Sequence, residues 1–164
     1  EGIRLIREYL PVAVADGNNL EARTQMLVAS TLGATAFQRG LGAMHALSHP
    51  LGALYNAHHG TLNAVLMPYV LVENRKVIEE RICRLARSIG IDDAGFSSFL
   101  DWVLQLRETL DIPQNLEALG IDDAQAERVG MMAEADPSSG TNPIFFSADQ
   151  YQSLFLKALK GNLG

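Results

Sequence analysis

The chain has 164 residues, 48% of them hydrophobic, 20% charged and 7% aromatic, with 14 glycines, 6 prolines and one cysteine. That composition excludes a disordered, collagen-like or low-complexity chain, and a single domain of this length buries roughly 70% of its unfolded surface without a disulfide or a structural metal. Thirteen Lys and Arg against nineteen Asp and Glu leave a net charge of −6, and no stretch gathers enough basic residues to follow a phosphate backbone, which argues against nucleic acid as a partner.

Cys83 stands alone, which rules out an internal disulfide and fits a reducing compartment. No window reaches about eighteen consecutive apolar residues, so no membrane span is expected, and the N-terminus lacks the basic, apolar and small-residue order of a signal peptide. The chain reads as soluble and cytoplasmic. It opens on Glu1 inside what already reads as helix, without an initiator Met, which points to residues upstream.

Ile3, Ile6, Leu10, Ala13 and Val14 recur every three or four residues and predict a first helix from Ile3 to Ala15, which Pro11 kinks or brings to its last regular turn. After a turn over Asp16 to Asn19, Asn18 with Glu21 resembles a capping box opening a second helix that runs to about Arg39. Its small residues Ala29, Ser30, Gly33, Ala34 and Ala36 suit a helix buried in the middle of a bundle. Gly40 and Gly42 break the pattern, Ala43 to Tyr55 resumes it around Pro50, and a turn at Asn56 to Gly60 precedes a helix from Thr61 that Pro68 ends or kinks. The run Tyr69 to Val72 is better read as a helix end than as a strand.

Val77, Ile78, Ile82, Leu85 and Ile89 predict the next helix, and Phe96, Phe99, Leu100, Val103 and Leu106 another, capped by Asp92 or Asp93. Asp122 or Asp123 caps a short helix ending near Ala135, and Asp136 to Pro143 is a polar loop. Ser147 with Gln150 forms a capping box for a last helix that carries Tyr151, Leu154, Phe155 and Ala158 on one face. Seven or eight helices and no alternating strand pattern predict an all-α multi-helix bundle, one domain across residues 1 to 164, with no internal repeat and no long linker.

The functional signal is histidine. His45, His49, His58 and His59 are all the histidines of the chain, and they fall within fifteen positions. Histidine is the commonest side-chain ligand of transition metals and the usual proton shuttle near neutral pH. A lone buried histidine is more often a hydrogen-bonded core residue, but four together beside glycines and a proline reverse that weighting. His45 and His49 stand at i and i+4 and share a helix face, which by periodicity makes them the metal pair. His59 lies near the positive end of the following helix, which disfavours imidazolium and leaves a lone pair for a metal. A zinc-protease motif is rejected, because it needs Glu directly after the first His and this chain has Ala46. Spacing alone leaves open which histidines bind and which do catalysis.

The segment Gly40 to Leu71, GLGAMHALSHPLGALYNAHHGTLNAVLMPYVL, strongly resembles the signature of the iron-containing, group III alcohol dehydrogenases. Asp136 to Gln150, with its Asn142-Pro143 pair, is similar to that family's C-terminal segment, although Ile144 stands where an Arg often follows the Pro. The resemblance implies the C-terminal helical domain of a two-domain, dehydroquinate synthase-like enzyme, with the dinucleotide-binding domain and the first ligand-bearing helix upstream of Glu1. It also implies a metal held by one Asp and three His. Two of those histidines map onto His45 and His59, and the Asp and third His belong to the upstream helix. His49 then lies near the nicotinamide as the catalytic histidine and is not a ligand, which overrules the i, i+4 pairing.

The chemistry so implied is hydride transfer between a small alcohol or aldehyde and NAD or NADP, with Fe(II), or else Zn, polarising the substrate oxygen and His49 relaying the proton. The chain shows no nucleotide fingerprint of its own, so the dinucleotide is expected to bind mainly to the upstream domain, and the chain alone is expected to be inactive. His58 is expected to be exposed or water-bonded. Phe37 is either an aromatic of the substrate pocket or a core residue, whereas Met44 and Met67 read as core and Glu79 and Glu80 as a solvated face. A non-catalytic helical binding or assembly module is the alternative, as is a maleylacetate reductase, glycerol dehydrogenase or dehydroquinate synthase relative, against which Ser48-His49-Pro50-Leu51-Gly52 speaks. An exposed cleft face on a lone helical domain would favour a homo-oligomer.

Overall fold

Helical periodicity is realised along nearly the whole chain. The computed structural model describes residues 1–163 as α1 (Gly2–Ala15), α2 (Leu20–Ala36), α3 (Gly42–Tyr55), α4 (His59–Ser88), α5 (Phe96–Thr109), α6 (Ala126–Ala135) and α7 (Ala148–Lys160). Short 3-10 turns lie at Phe37–Arg39, Glu117–Leu119 and Ser139–Thr141, and there is no strand among the described residues. No described helix is long and apolar enough to cross a membrane. The chain divides into two compact units, one of Glu1–Arg39 with Glu79–Leu110, the other of Gly40–Ile78 with Asp111–Gly164.

In the first unit α1 packs along α2, and Arg7 donates to the Ile89 carbonyl at 2.8 Å. Leu5, Ala22, Ala29, Ile82, Ala86, Ile89, Phe96, Phe99 and Val103 are buried. The small-residue half of α2 is not a bundle interior. Leu20, Leu27 and Leu32 are exposed while only Ala22 and Ala29 are buried, because α1 covers one face of α2 and a single neighbour cannot cover both. Phe37 is 57% exposed, which removes core packing within this chain as its role.

The caps of α2, α5 and α6 also differ from expectation. Asn19, not Asn18, accepts from the Ala22 amide at 3.0 Å, since α2 starts at Leu20 and Asn19 is the residue that immediately precedes it. At α5 neither Asp92 nor Asp93 caps: the Gly95 amide donates to Ser98 Oγ at 3.2 Å, and Asp93 contributes its carbonyl to the Ser98 hydroxyl. Asp122 accepts from the Ala124 amide in the turn ahead of α6, and that helix starts too far on, at Ala126, for either aspartate side chain to cap it. The box at α7 forms as expected, with the Ser147 amide donating to Gln150 and the Gln150 amide to Ser147.

The second unit holds the larger core. Leu47, Leu51, Leu62, Val65, Leu66, Leu116, Val129, Tyr151, Leu154 and Phe155 are buried in one cluster built from α3, the first part of α4, α6 and α7, with Leu116 from the segment between α5 and α6. Two expected helices, one from Thr61 and one through Val77, are a single α4 that continues across Pro68 and contains Tyr69 to Val72. Proline inside a helix costs about 3 kcal/mol, but Pro68 is fully buried beside Leu66 and Tyr69, and burial of that apolar face outweighs the lost hydrogen bond. Gly130 lets α6 approach α7, because a Cβ there would lie 2.4 Å from the Ala148 carbonyl oxygen.

Candidate functional site

The site begins at the amino end of α3, where no preceding side chain satisfies the free amides. A segment almost a hundred residues away does so instead. Thr141 Oγ1 accepts from the Leu41 and Gly42 amides at 3.1 and 3.2 Å, and Asn142 Oδ1 accepts from the Ala43 amide at 3.1 Å. Asn142 is held in turn by a reciprocal pair of amide hydrogen bonds with the buried Asn74, at 3.1 and 2.9 Å. Gly40, with φ of 96°, makes the approach possible, since a Cβ there would lie 2.3 Å from Thr141 Cβ.

Fixing the start of α3 fixes the two histidines that follow at one-turn spacing. His45 is buried at 8% exposure, and His49 is exposed. After the left-handed Asn56 ends α3, the chain returns with His59 as the first residue of α4. The three rings come together pairwise, with centroids 5.8 Å apart for His45 and His49, 5.2 Å for His45 and His59, and 5.5 Å for His49 and His59, the last pair stacked. His58 does not join them. Its Nδ1 accepts from the Thr61 amide at 3.3 Å, so this exposed residue caps the start of α4.

Two of the rings share a partner. The Asn63 carboxamide nitrogen lies 3.3 Å from His45 Nε2 and 2.9 Å from His59 Nε2, so one donor group faces both Nε2 atoms and their lone pairs are aimed at one small region. Asn63 Oδ1 is buried with no partner among the described residues. His59 Nδ1 meets Ser48 Oγ at 3.4 Å, and His49 Nδ1 meets Asp136 Oδ2 at 2.8 Å. Burial pushes the His45 pKa below the ordinary histidine value, the charges His59 and His49 would carry push it the same way, and a backbone hydrogen bond with Leu41 opposes them. For Asp136, burial alone would raise the pKa, but hydrogen bonds from His49 and Ser138 prevail and hold it below the usual carboxylate value.

Two imidazole nitrogens are half a transition-metal shell. Among the described residues no group of three or more His, Cys, Asp and Glu side chains is placed to hold a metal alone. A shallow depression of about 390 Å³ along α7, lined by Asp149, Lys157 and Lys160 among others, contains none of the histidines. Sequence reasoning missed Asn63, Ser48, Asp136 and Asn142 as parts of this arrangement. Asn63 stands four residues after His59 on one helix face, a spacing that carried the signal, whereas nothing local links Asp136 to His49 across 87 positions.

A helical unit built around this histidine group belongs to a known class: the C-terminal model of the Fe-containing alcohol dehydrogenase family matches residues 1–159, and the chain is a member of that family. Alcohol dehydrogenase 4 of Saccharomyces cerevisiae is 35% identical over 161 residues, which cover 96% of this chain and 42% of the yeast protein. The 1,3-propanediol dehydrogenase of Klebsiella pneumoniae is 34% identical over 165 residues, covering 96% and 43%. A crystal structure of 1,3-propanediol oxidoreductase superposes with a TM-score of 0.92 at 34% identity, over 96% of this chain and 43% of that one. The chain thus spans about two fifths of the length of the relatives it matches.

Proposed function

We propose that the chain is the helical, metal-binding part of a cytoplasmic alcohol dehydrogenase that transfers a hydride between a small alcohol and NAD or NADP. The observation that carries this is the pair of Nε2 atoms, from α3 and α4, directed at one region beside a third, exposed histidine. His45 and His59 would hold a divalent metal, Fe(II) or else Zn, and an imidazole pair suits either. Such a metal supplies Lewis-acid polarisation of the alcohol or carbonyl oxygen.

The rest falls to this chain's own residues. Low basicity keeps His45 unprotonated and ready to ligate near neutral pH. Ser48 holds the far nitrogen of His59, which orients the ring as outer partners of ligating histidines do. His59 is exposed as His49 is, but His49 alone of the three converging rings takes no part in the Asn63 contact, so it is the residue that relays the hydroxyl proton. The remaining ligands and the dinucleotide site come from outside this chain. The test is the full-length protein with Fe(II) or Zn, a primary alcohol and NAD or NADP. Chelator-sensitive, metal-restored reduction of the nicotinamide supports the proposal, and absence of alcohol-dependent reduction with either metal and either nucleotide contradicts it.

A further inference from the structure

We propose that Asp136 is a positioning residue that sets the tautomer of His49, so that Nε2 is the atom of that ring that accepts the substrate proton. This rests on the dehydrogenase function proposed above. A carboxylate can only accept, so the proton in the 2.8 Å contact between His49 Nδ1 and Asp136 Oδ2 sits on Nδ1, and the lone pair of the neutral ring is left at Nε2. In water a histidine side chain prefers the other tautomer, with Nε2 protonated. Such a ring would point a donor where the reaction needs an acceptor.

Asp136 is built to hold this state. Its other oxygen accepts from the Ser138 amide at 2.8 Å, its backbone carbonyl accepts from the Ser139 amide at 2.9 Å, and its side chain is only 13% exposed. Both carboxylate oxygens are therefore engaged, unlike those of an exposed pair such as Arg84 and Glu80, where the closest approach is 3.9 Å. The segment that starts at Asp136 also supplies Thr141 and Asn142 to the amino end of α3, the helix that carries His49. Donor and acceptor are thus held in register twice, once through their own hydrogen bond and once through the cap. In alcohol oxidation the carbinol C–H electron pair leaves as hydride to the oxidised nicotinamide, the C=O bond forms, and the hydroxyl proton passes to His49 Nε2. Reduction runs the same steps in reverse.

The experiment uses the full-length protein as wild type, Asp136→Ala and Asp136→Asn, the carboxamide keeping an acceptor for Nδ1–H without the charge. Ring nitrogen NMR of imidazole-labelled, Zn-loaded protein, with the His49 signals identified by their loss in His49→Gln, reads the tautomer directly. Metal content, kcat and KM are measured beside it. The wild type should show His49 protonated at Nδ1. Asp136→Ala should shift the ring toward the Nε2-protonated form and lower kcat about 10- to 100-fold, with metal content and alcohol KM near wild type. Asp136→Asn should recover much of the loss, and it keeps the test alive if the alanine variant fails to fold. A wild-type His49 protonated at Nε2, an unchanged kcat, or a kcat loss that tracks metal loss overturns the proposal. If the wild type turns over no alcohol, the dehydrogenase function fails, and the NMR readout still decides what Asp136 does to His49.

Discussion

Of the four histidines, His45 alone is buried, and that separates its protonation behaviour from the rest. Its pKa is held below the ordinary value of 6.5, so the unfolded chain binds this proton more readily than the folded one. The stability it contributes is present above about pH 6.5 and is lost as pH falls toward the depressed folded value. Asp136, held below 3.8, contributes stability above that pH and loses it as pH falls further. Urea midpoints of the metal-free protein against pH should therefore decline in two stages, and His45→Gln should flatten the first while sparing the second. Residue type and clustering made these histidines visible in the sequence. Their division into a buried ring, two exposed rings that meet it and a helix cap was not, because burial and the partners Asn63, Ser48 and Asp136 are set by packing.

Among the elements, the α3 cap has the clearest energetic consequence. Asn142→Ala leaves the Ala43 amide and the Asn74 carboxamide without their acceptor, and each buried polar group so stranded costs on the order of 1–3 kcal/mol, so a loss of about 3 kcal/mol is expected in urea unfolding. Gly40→Ala should cost a comparable amount, about 1–3 kcal/mol, because a side chain at φ of 96° is strained and meets Thr141. Both variants should also lower metal occupancy, since the cap sets the position of His45. The capping box of α7 was legible because Ser147 and Gln150 lie three residues apart, and the cap of α3 was hidden because its donors and acceptors are almost a hundred residues apart. The continuity of α4 was likewise hidden. Pro68 signals a break locally, and only the surrounding core overrides it.

For the whole molecule, the absence of strand alternation made the all-α class legible, and the His-Pro-Leu-Gly segment carried the family. The exposure of α2 was not legible, because composition reports how small a helix face is and not what covers it. With His45 and His59 as its proposed ligands the chain would supply two imidazoles, so isothermal titration should find weak Fe(II) or Zn binding to it and much tighter binding to the full-length protein; nanomolar affinity for the chain alone would mean that its own residues complete the shell. Metal analysis beside steady-state rates for His45→Ala, His49→Ala and His59→Ala in the full-length protein separates the roles of the three histidines. His45→Ala and His59→Ala should lose bound metal and turnover together, while His49→Ala keeps near wild-type metal and loses turnover. Loss of metal in His49→Ala with retention in His59→Ala would contradict the account and make His45 and His49 the ligand pair.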